Sequence, residues 1–563
     1  MGRLWMVGAV ALALLVAGVV GSTAGTWRGA KHEYVVLYAQ GVPLASARLA
    51  VARAGGTIAR ENAKIGVATV TSRNAQFVRD ATAQRALAGV AMSRPIGRAP
   101  MLRPKRDVVE RLTRAERASA RAVASRLAKP SPPTPAAEPL AGLQWDMAMI
   151  HATTDGSYSK QLGDRGVRVG IMDTGIDASH PDLAPNFDAA LSRNFTTDIP
   201  SIDGACASDP DGSCSDPANV DENGHGTHVA GTVGAALNGL GIAGVAPNVT
   251  LVNLRAGQDS GFFFLQPTVD ALTYAGDHGI DVVNMSYFID PWLFNCGANP
   301  ADSPAQQEEQ RTIVDATNRA LDYAFDRGVT LIAALGNEHT DLDNPTTDTT
   351  SPDFPPGSAY PRTVDNSCLV MPTEGNNVIS VIALGPSAKK ADYSNYGTEG
   401  VVLSAPGGWF RDGFGTPTFR TNGNLILSSF PKSVLEAGGK LNPDGTPNDP
   451  SVIRDCQGST CGYYEYLQGT SMASPHAVGV AALIVSERGH KDPKQGGLTL
   501  KPKETEKWLV RSATDHACPV PPLITYTNEG RPADFNALCA GTTDVNNIYG
   551  EGIVDALAAL KNN

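Results

Sequence analysis

From Val167 to Ala383 the chain alternates short β-branched runs with longer amphipathic stretches, and this alternation limits the possible folds more than any other feature. Val167–Met172, Val249–Leu254, Val282–Met285, Val329–Leu335 and Val378–Ala383 read as buried strands. Gly226–Leu237, Pro267–Gly276 and Ile313–Arg327 read as helices between them. Strands joined through helices pair in parallel, so the pattern predicts an α/β fold, a mainly parallel sheet with helices on both faces. Sites in such sheets gather beyond the carboxyl ends of the strands. Asp173, Ser286 and Asn337 stand at those ends.

The 563 residues leave room for accessory segments around one large core. Arg3 precedes an uncharged apolar run, Leu4 to Val20, and Ser22-Thr23-Ala24 supplies small residues for cleavage, so residues 1–24 read as a signal peptide. The mature protein is expected to be secreted; the alternative is anchoring by an uncleaved N-terminal segment, because the run approaches bilayer length. No later segment is apolar enough to span. Eight cysteines in an exported chain favour disulfides, and no zinc-type C-x-x-C array is present. Cys206/Cys214 and Cys456/Cys461 are the natural local pairs, which leaves Cys518/Cys539 and Cys296/Cys368.

The chain carries a net charge of −11, unevenly placed. Between Thr26 and Pro130 there are about 20 Lys/Arg against about 6 Asp/Glu, and the remainder is acidic. Two parts of opposite sign suggest a cognate pair. Nucleic acid is not an expected partner, since the basic part has neither clustered aromatics nor a reading motif. Within residues 25–100, the strand-like Tyr34–Tyr38, the helical Leu44–Arg53 and the strand-like Val67–Val70 predict a small α+β module. Residues 101–142 form a basic helical segment ending in the linker Pro130-Ser131-Pro132-Pro133-Thr134-Pro135, and the main domain is expected over 143–563.

Three glycine-flanked polar residues carry the chemistry. Ser471, in Gly469-Thr470-Ser471-Met472-Ala473-Ser474-Pro475, opens an apolar helical stretch whose start favours negative charge. His225 lies in Asn223-Gly224-His225-Gly226-Thr227-His228, where glycines let the imidazole approach another segment. Asp173 closes a buried strand and needs a partner there. Singly, each has a plainer reading as a cap, a core histidine or a turn residue. Acyl transfer, however, needs a hydroxyl nucleophile, a base, a group fixing the base's tautomer, and donors for the oxyanion. The order Asp, His, Ser is that of subtilisin.

At these residues the chain resembles the subtilisin-like serine peptidases. The matching stretches are Met172-Asp173-Thr174-Gly175-Ile176, His180-Pro181-Asp182-Leu183, His225-Gly226-Thr227-His228-Val229-Ala230-Gly231, Gly244-Val245-Ala246-Pro247, Ala334-Leu335-Gly336-Asn337-Glu338, the Ser471 segment, and Tyr549-Gly550-Glu551-Gly552-Ile553-Val554-Asp555-Ala556. The resemblance implies a serine endopeptidase acting through an acyl-enzyme on polypeptide substrates. Asp173, His225 and Ser471 would form its triad, Asn337 would donate to the oxyanion, and Ser286 and Gly336 would bind substrate. The basic module then resembles an inhibitory, fold-assisting propeptide, a partner to its own enzyme, making the chain a zymogen. Ser474, His228 and His476 read as structural. No cofactor is expected for the chemistry. Asp182 matches a position that in this family often helps bind structural calcium; turn capping is its alternative.

The chain departs from the family at Tyr287-Phe288-Ile289-Asp290, where the family commonly has Leu-Gly-Gly, and this bulk is expected to narrow the cleft. Asp290–Thr312, His339–Asn377 and Trp409–Leu467 look long, and are expected as loops around its rim.

Overall fold

The computed structural model describes residues 31–93, 110–113, 115–119, 138–208 and 212–561. The expected signal peptide, the ends of the N-terminal module and most of the basic linker lie outside the described residues.

In the N-terminal module, β1 (His32–Tyr38), α1 (Leu44–Arg53), β2 (Gly56–Asn62), β3 (Val67–Ser72), α2 (Phe77–Thr82) and β4 (Leu87–Ser93) build an antiparallel sheet in the order β2-β3-β1-β4. Alternation along β1 sends Tyr34, Val36 and Tyr38 into a core with Ala47, Val51 and Phe77 of the two helices. Val35 and Leu37, on its other face, join a core shared with the main domain. Burial on both faces explains why this strand is apolar from Tyr34 to Tyr38.

The main domain runs through β5 (Arg168–Met172), β6 (Arg193–Asn194), α3 (His225–Gly234), β7 (Thr250–Arg255), α4 (Leu265–Asp277), β8 (Val282–Met285), α5 (Pro304–Phe325), β9 (Thr330–Ala334), β10 (Val378–Leu384) and β11 (Val401–Pro406). These strands form one parallel sheet, β11-β10-β9-β8-β5-β7-β6. Further on come β12 (Ile426–Ser429), β13 (Val452–Gln457), β14 (Thr460–Leu467), the buried helix α6 (Thr470–Arg488) and α7 (Pro502–Ser512). One face of the sheet packs Val169, Ile171 and Ile332 against α3 and α6. The other packs Val252, Val283 and Leu331 against α4 and α5. The N-terminal module docks on the outer side of α4 and α5: Asn62 Nδ2 donates to Asp270 Oδ1 at 3.1 Å, and Arg319 Nη1 donates to the Tyr38 carbonyl at 2.7 Å.

All three expected loops contain regular structure, His339–Asn377 only as two-residue strands. Helix α5 starts at Pro304, well before Ile313, because Ser303 and Gln306 form a reciprocal capping box ahead of a polar first half. That half lacks the apolar periodicity by which helices are read, so Asp290–Thr312 is only partly loop. Trp409–Leu467 likewise holds the antiparallel sheet β12-β14-β13.

All four disulfides join the pairs expected: Cys206–Cys214, Cys296–Cys368, Cys456–Cys461 and Cys518–Cys539. Cys296 and Cys368 sit opposite each other on paired two-residue strands and tie two of the long segments together across 72 residues of sequence. Replacing both by serine is expected to cost about 2–5 kcal/mol of stability, since closing a long loop restricts the unfolded chain. Denaturant unfolding of the oxidised protein and this variant measures it; equal midpoints would show that the bridge constrains nothing the fold does not already hold.

Candidate active site

Asp173 follows the last residue of β5, His225 is the first residue of α3, and Ser471 is the second residue of α6. The close meeting of α3 with the end of β5 depends on Gly226, where a Cβ would stand 2.2 Å from the Gly175 carbonyl oxygen. Asp173 is fully buried, and its Oδ1 lies 2.7 Å from His225 Nδ1. The same oxygen accepts from the Thr174 amide at 2.7 Å. This holds the imidazole with Nδ1 toward the carboxylate and Nε2 toward the cleft.

Asp221 fixes that arrangement. One of its oxygens accepts from Thr174 Oγ1 at 3.0 Å and from the Gly224 amide at 2.9 Å; the other accepts from Thr227 Oγ1 at 2.6 Å. It therefore ties the residue after Asp173 to the turn that carries His225. The sequence leaves the aspartate-rich stretch Asp203–Asp221 open between a solvated acidic loop and a metal site and gives Asp221 no task, although its position two residues before Asn223-Gly224-His225 is a usable signal. Asp216 and Asp221 of that stretch are both buried.

Around Ser471 the backbone is braced by Ser286, whose hydroxyl donates to the Ser471 carbonyl at 3.0 Å and whose carbonyl lies 3.3 Å from Ser471 Oγ. Asn284 in turn bonds both Ser286 and Ser474. Ser474 is fully buried in that network. His228 Nε2 sits 3.0 Å from the Glu465 carbonyl, and burial, then the neighbouring His225, push its pKa down to about 3. His476 pairs with Asp146 at 3.0 Å.

Asn337 belongs to the turn after β9. Its Oδ1 accepts from the Thr470 amide at 2.9 Å and from Thr470 Oγ1 at 3.0 Å, committing the oxygen and leaving Nδ2 as the donor end of an amide that lines the cleft. Gly336 adopts φ +114°, and a Cβ there would meet Asn395 Nδ2 at 2.3 Å. Asn395 and Glu338 pin the turn: Asn395 Nδ2 donates to Glu338 Oε2 at 2.9 Å, and that oxygen also accepts from the Asn337 amide. Ser286, Gly336, Asn337, His225 and Ser471 all line one cavity of about 550 Å³. Tyr287 stacks on Phe263 with ring centroids 4.0 Å apart, so its bulk forms a wall of a sizeable cavity.

One residue at this centre carried no recognisable sequence signal. Glu110 Oε1 accepts from Ser471 Oγ at 2.6 Å, and Glu110 Oε2 lies 3.3 Å from His225 Nε2. Burial alone would lower the His225 pKa, but Asp173 and Glu110 outweigh it and hold the imidazole charged well above its ordinary value.

Asp182 is buried: its Oδ2 accepts from Tyr464 Oη at 2.8 Å and the Ile242 amide at 3.2 Å, and Asn238 bonds its Oδ1. Burial pushes its pKa up to about 7. Among the described residues, the acidic group close enough to share a cation is instead Asp198, Asp216 and Asp259. The Arg255 guanidinium bonds all three carboxylates. Asp198 is still pushed up to about 8, by burial first and then by Asp259 and Asp216. The cluster thus holds more acid than one arginine neutralises, and its donor set fits a hard cation in charge and oxygen chemistry.

The Peptidase_S8 profile, the subtilase family, matches residues 164–552. The chain is 29% identical over 321 residues to subtilisin DY of Bacillus licheniformis, covering 57% of this chain and 77% of that protein. It is 28% identical over 335 residues to a thermophilic serine proteinase of Bacillus sp. (strain AK1), covering 59% of this chain and 56% of that relative, little more than half its length. Among solved structures, the epidermin leader peptide processing serine protease of Staphylococcus aureus superposes with a TM-score of 0.59 at 19% identity, over 94% of this chain and 98% of that one. Fervidolysin from Fervidobacterium pennivorans gives 0.53 at 20% identity, over 96% and 62%. The chain belongs to the subtilase family, and it is a serine endopeptidase with the α/β fold of that family.

Proposed function

We propose that the chain is an exported endopeptidase made as a zymogen, in which Ser471 attacks the scissile carbonyl of a polypeptide. The observation that carries this reading is the 2.7 Å contact of buried Asp173 with His225, at the mouth of a cavity that Ser471 and Asn337 also line. His225 Nε2 takes the Ser471 proton as Oγ bonds to the carbonyl carbon, and Asp173 stabilises the imidazolium that forms. Asn337 Nδ2 and the Ser471 amide donate to the oxyanion. The C–N bond then breaks, the leaving amine takes its proton from His225, and water repeats the sequence to free Ser471 and the new carboxylate.

The docked module of residues 31–93 acts in this reading as the inhibitory, fold-assisting propeptide, released by cleavage between about Met101 and Leu143. Its packing on α4 and α5 supports such a role. Export follows from the signal peptide expected over 1–24; among the described residues no helix is long and apolar enough to cross a membrane. Structural calcium would sit with the Asp198, Asp216 and Asp259 carboxylates and supply no chemical step.

An organophosphonate fluorophosphonate-type probe tests the assignment directly. The trimmed protein is expected to gain one adduct, mapped by peptide mass to Ser471, with loss of activity in step. An adduct on Ser474 or on no serine would remove Ser471 from the role.

A further inference from the structure

Glu110 lies at the catalytic centre, and residues 111–113 and 115–117 follow it, outside the module that packs on α4 and α5. Glu110 makes three contacts there: its two carboxylate oxygens meet Ser471 Oγ and His225 Nε2, and its carbonyl accepts from the Gln468 amide at 3.1 Å. The residues that follow are fastened by several further contacts. Arg111 donates to the Asn223 carbonyl at 3.2 Å and lies 5.6 Å from the Phe430 ring. Leu112 is 3% exposed, in a cluster with Ile242, Phe410, Leu427, Tyr464 and Tyr466. Glu116 pairs with Arg411 at 3.1 Å and Arg117 with Asp449 at 3.7 Å. These anchors come largely from the 409–467 segment.

We propose that Glu110–Arg117 is a built-in active-site latch: the Glu110 carboxylate caps nucleophile and base together, and Leu112 seats in an apolar socket formed by the 409–467 segment. The proposal rests on Ser471 and His225 having the roles given above, and assigns their regulation to named residues. The latch blocks chemistry twice. It takes the place at Ser471 Oγ that a scissile carbonyl must reach, and it pairs with His225 in the protonated form, which cannot accept a proton. It is also separate from the module, so release of residues 31–93 alone leaves the cleft capped for as long as 110–117 stays seated.

The charges facing His225 are Asp173 at the end of β5, Glu110, and His228 on α3; Arg111 adjoins Glu110 and Asp221 adjoins Asp173. Burial opposes ionisation of Glu110, but His225 outweighs it and holds the carboxyl below its usual range, while His225 is held above its own. The ion pair is therefore complete between those two values. It is lost as pH rises through the raised His225 value, or as pH falls through the lowered Glu110 value. The latch should loosen in alkali.

The test compares full-length wild type, Glu110→Gln and Leu112→Ala, with the uncleaved species resolved by mass during fluorophosphonate labelling. Uncleaved Glu110→Gln is expected to label at least about tenfold faster than uncleaved wild type, the factor of one pKa unit at the base. Its rate should also reach half-maximum at a lower pH, and Leu112→Ala should label faster with its carboxylate intact. A second readout needs no activity: NMR titration of His225 in Ser471→Ala and in Ser471→Ala/Glu110→Gln, where loss of the carboxylate should lower the His225 pKa. Equal labelling of the uncleaved chains, or an unchanged His225 titration, would overturn the latch. Failure of the trimmed enzyme to label would instead sink the protease roles, and the His225 titration would still judge the Glu110 contact.

Discussion

Ser471→Ala is expected to abolish peptide hydrolysis, with kcat falling about a million-fold, while the protein stays folded. The loss is large because base and nucleophile act as a unit: without Oγ, His225 has no proton to take and no acyl-enzyme can form. The structural cost is small. Among the described residues, the hydroxyl hydrogen-bonds to the Glu110 carboxylate and the Ser286 carbonyl, and a hydrogen bond to a charged group contributes about 1.5–3 kcal/mol net. That is less than the roughly 5–15 kcal/mol typical of a folded domain, so the protein should stay folded with a modest fall in unfolding temperature. Intact mass gives the second reading. Wild type should lose its N-terminal residues to a cut between about Met101 and Leu143, whereas Ser471→Ala should keep everything after the signal peptide. Identical trimming of both would mean that another protease matures the chain; trimming of neither would make residues 31–93 part of the working enzyme.

Legibility in the sequence followed the range of the interactions. The strands of the sheet centre were readable because burial on both faces makes each a short run rich in β-branched residues, as in Val282–Met285 and Val378–Leu384. Asp173, His225, Ser471 and Asn337 were readable because each sits in a short stretch whose glycines serve a local close approach, such as Gly226 against Gly175. The first half of α5 was missed because its Gln/Glu-rich turns rest on a cap at Ser303 rather than on an apolar stripe. β14 was missed because Tyr463, Tyr464, Tyr466 and Leu467 are all buried, which leaves no alternation to detect. Glu110 was the least accessible of all. Its partner is 361 residues away in sequence, and nothing in a basic helical segment distinguishes a carboxylate that caps a serine from one on a solvated face. Asp221 lies between these cases, local in position but defined by bonds to both Thr174 and Thr227.

Asn337→Ala separates an oxyanion donor from a turn residue. In the first role, the side chain contributes only when charge develops on the carbonyl oxygen, so kcat should fall by about 10²–10³, or about 2.7–4 kcal/mol of barrier, with KM nearly unchanged. In the second, the loss would fall on binding and stability. The geometry makes the experiment clean, because the backbone amide of Asn337 bonds Glu338 and survives the substitution, and Asn395 still holds Glu338. Thr470→Val supplies the control. It removes the Oγ1 contacts to Asn337 Oδ1 and to the Gly336 amide, but the Thr470 amide keeps the same Asn337 oxygen oriented, so the donor should stay aimed. Two such bonds are worth about 1–3 kcal/mol, most of it in stability rather than in rate, so kcat should fall by less than about tenfold. A large drop in kcat for alanine with a small one for valine assigns the effect to Nδ2 itself. A rise in KM for alanine at unchanged kcat would make Asn337 a binding residue and leave the Ser471 amide as the remaining donor to the oxyanion.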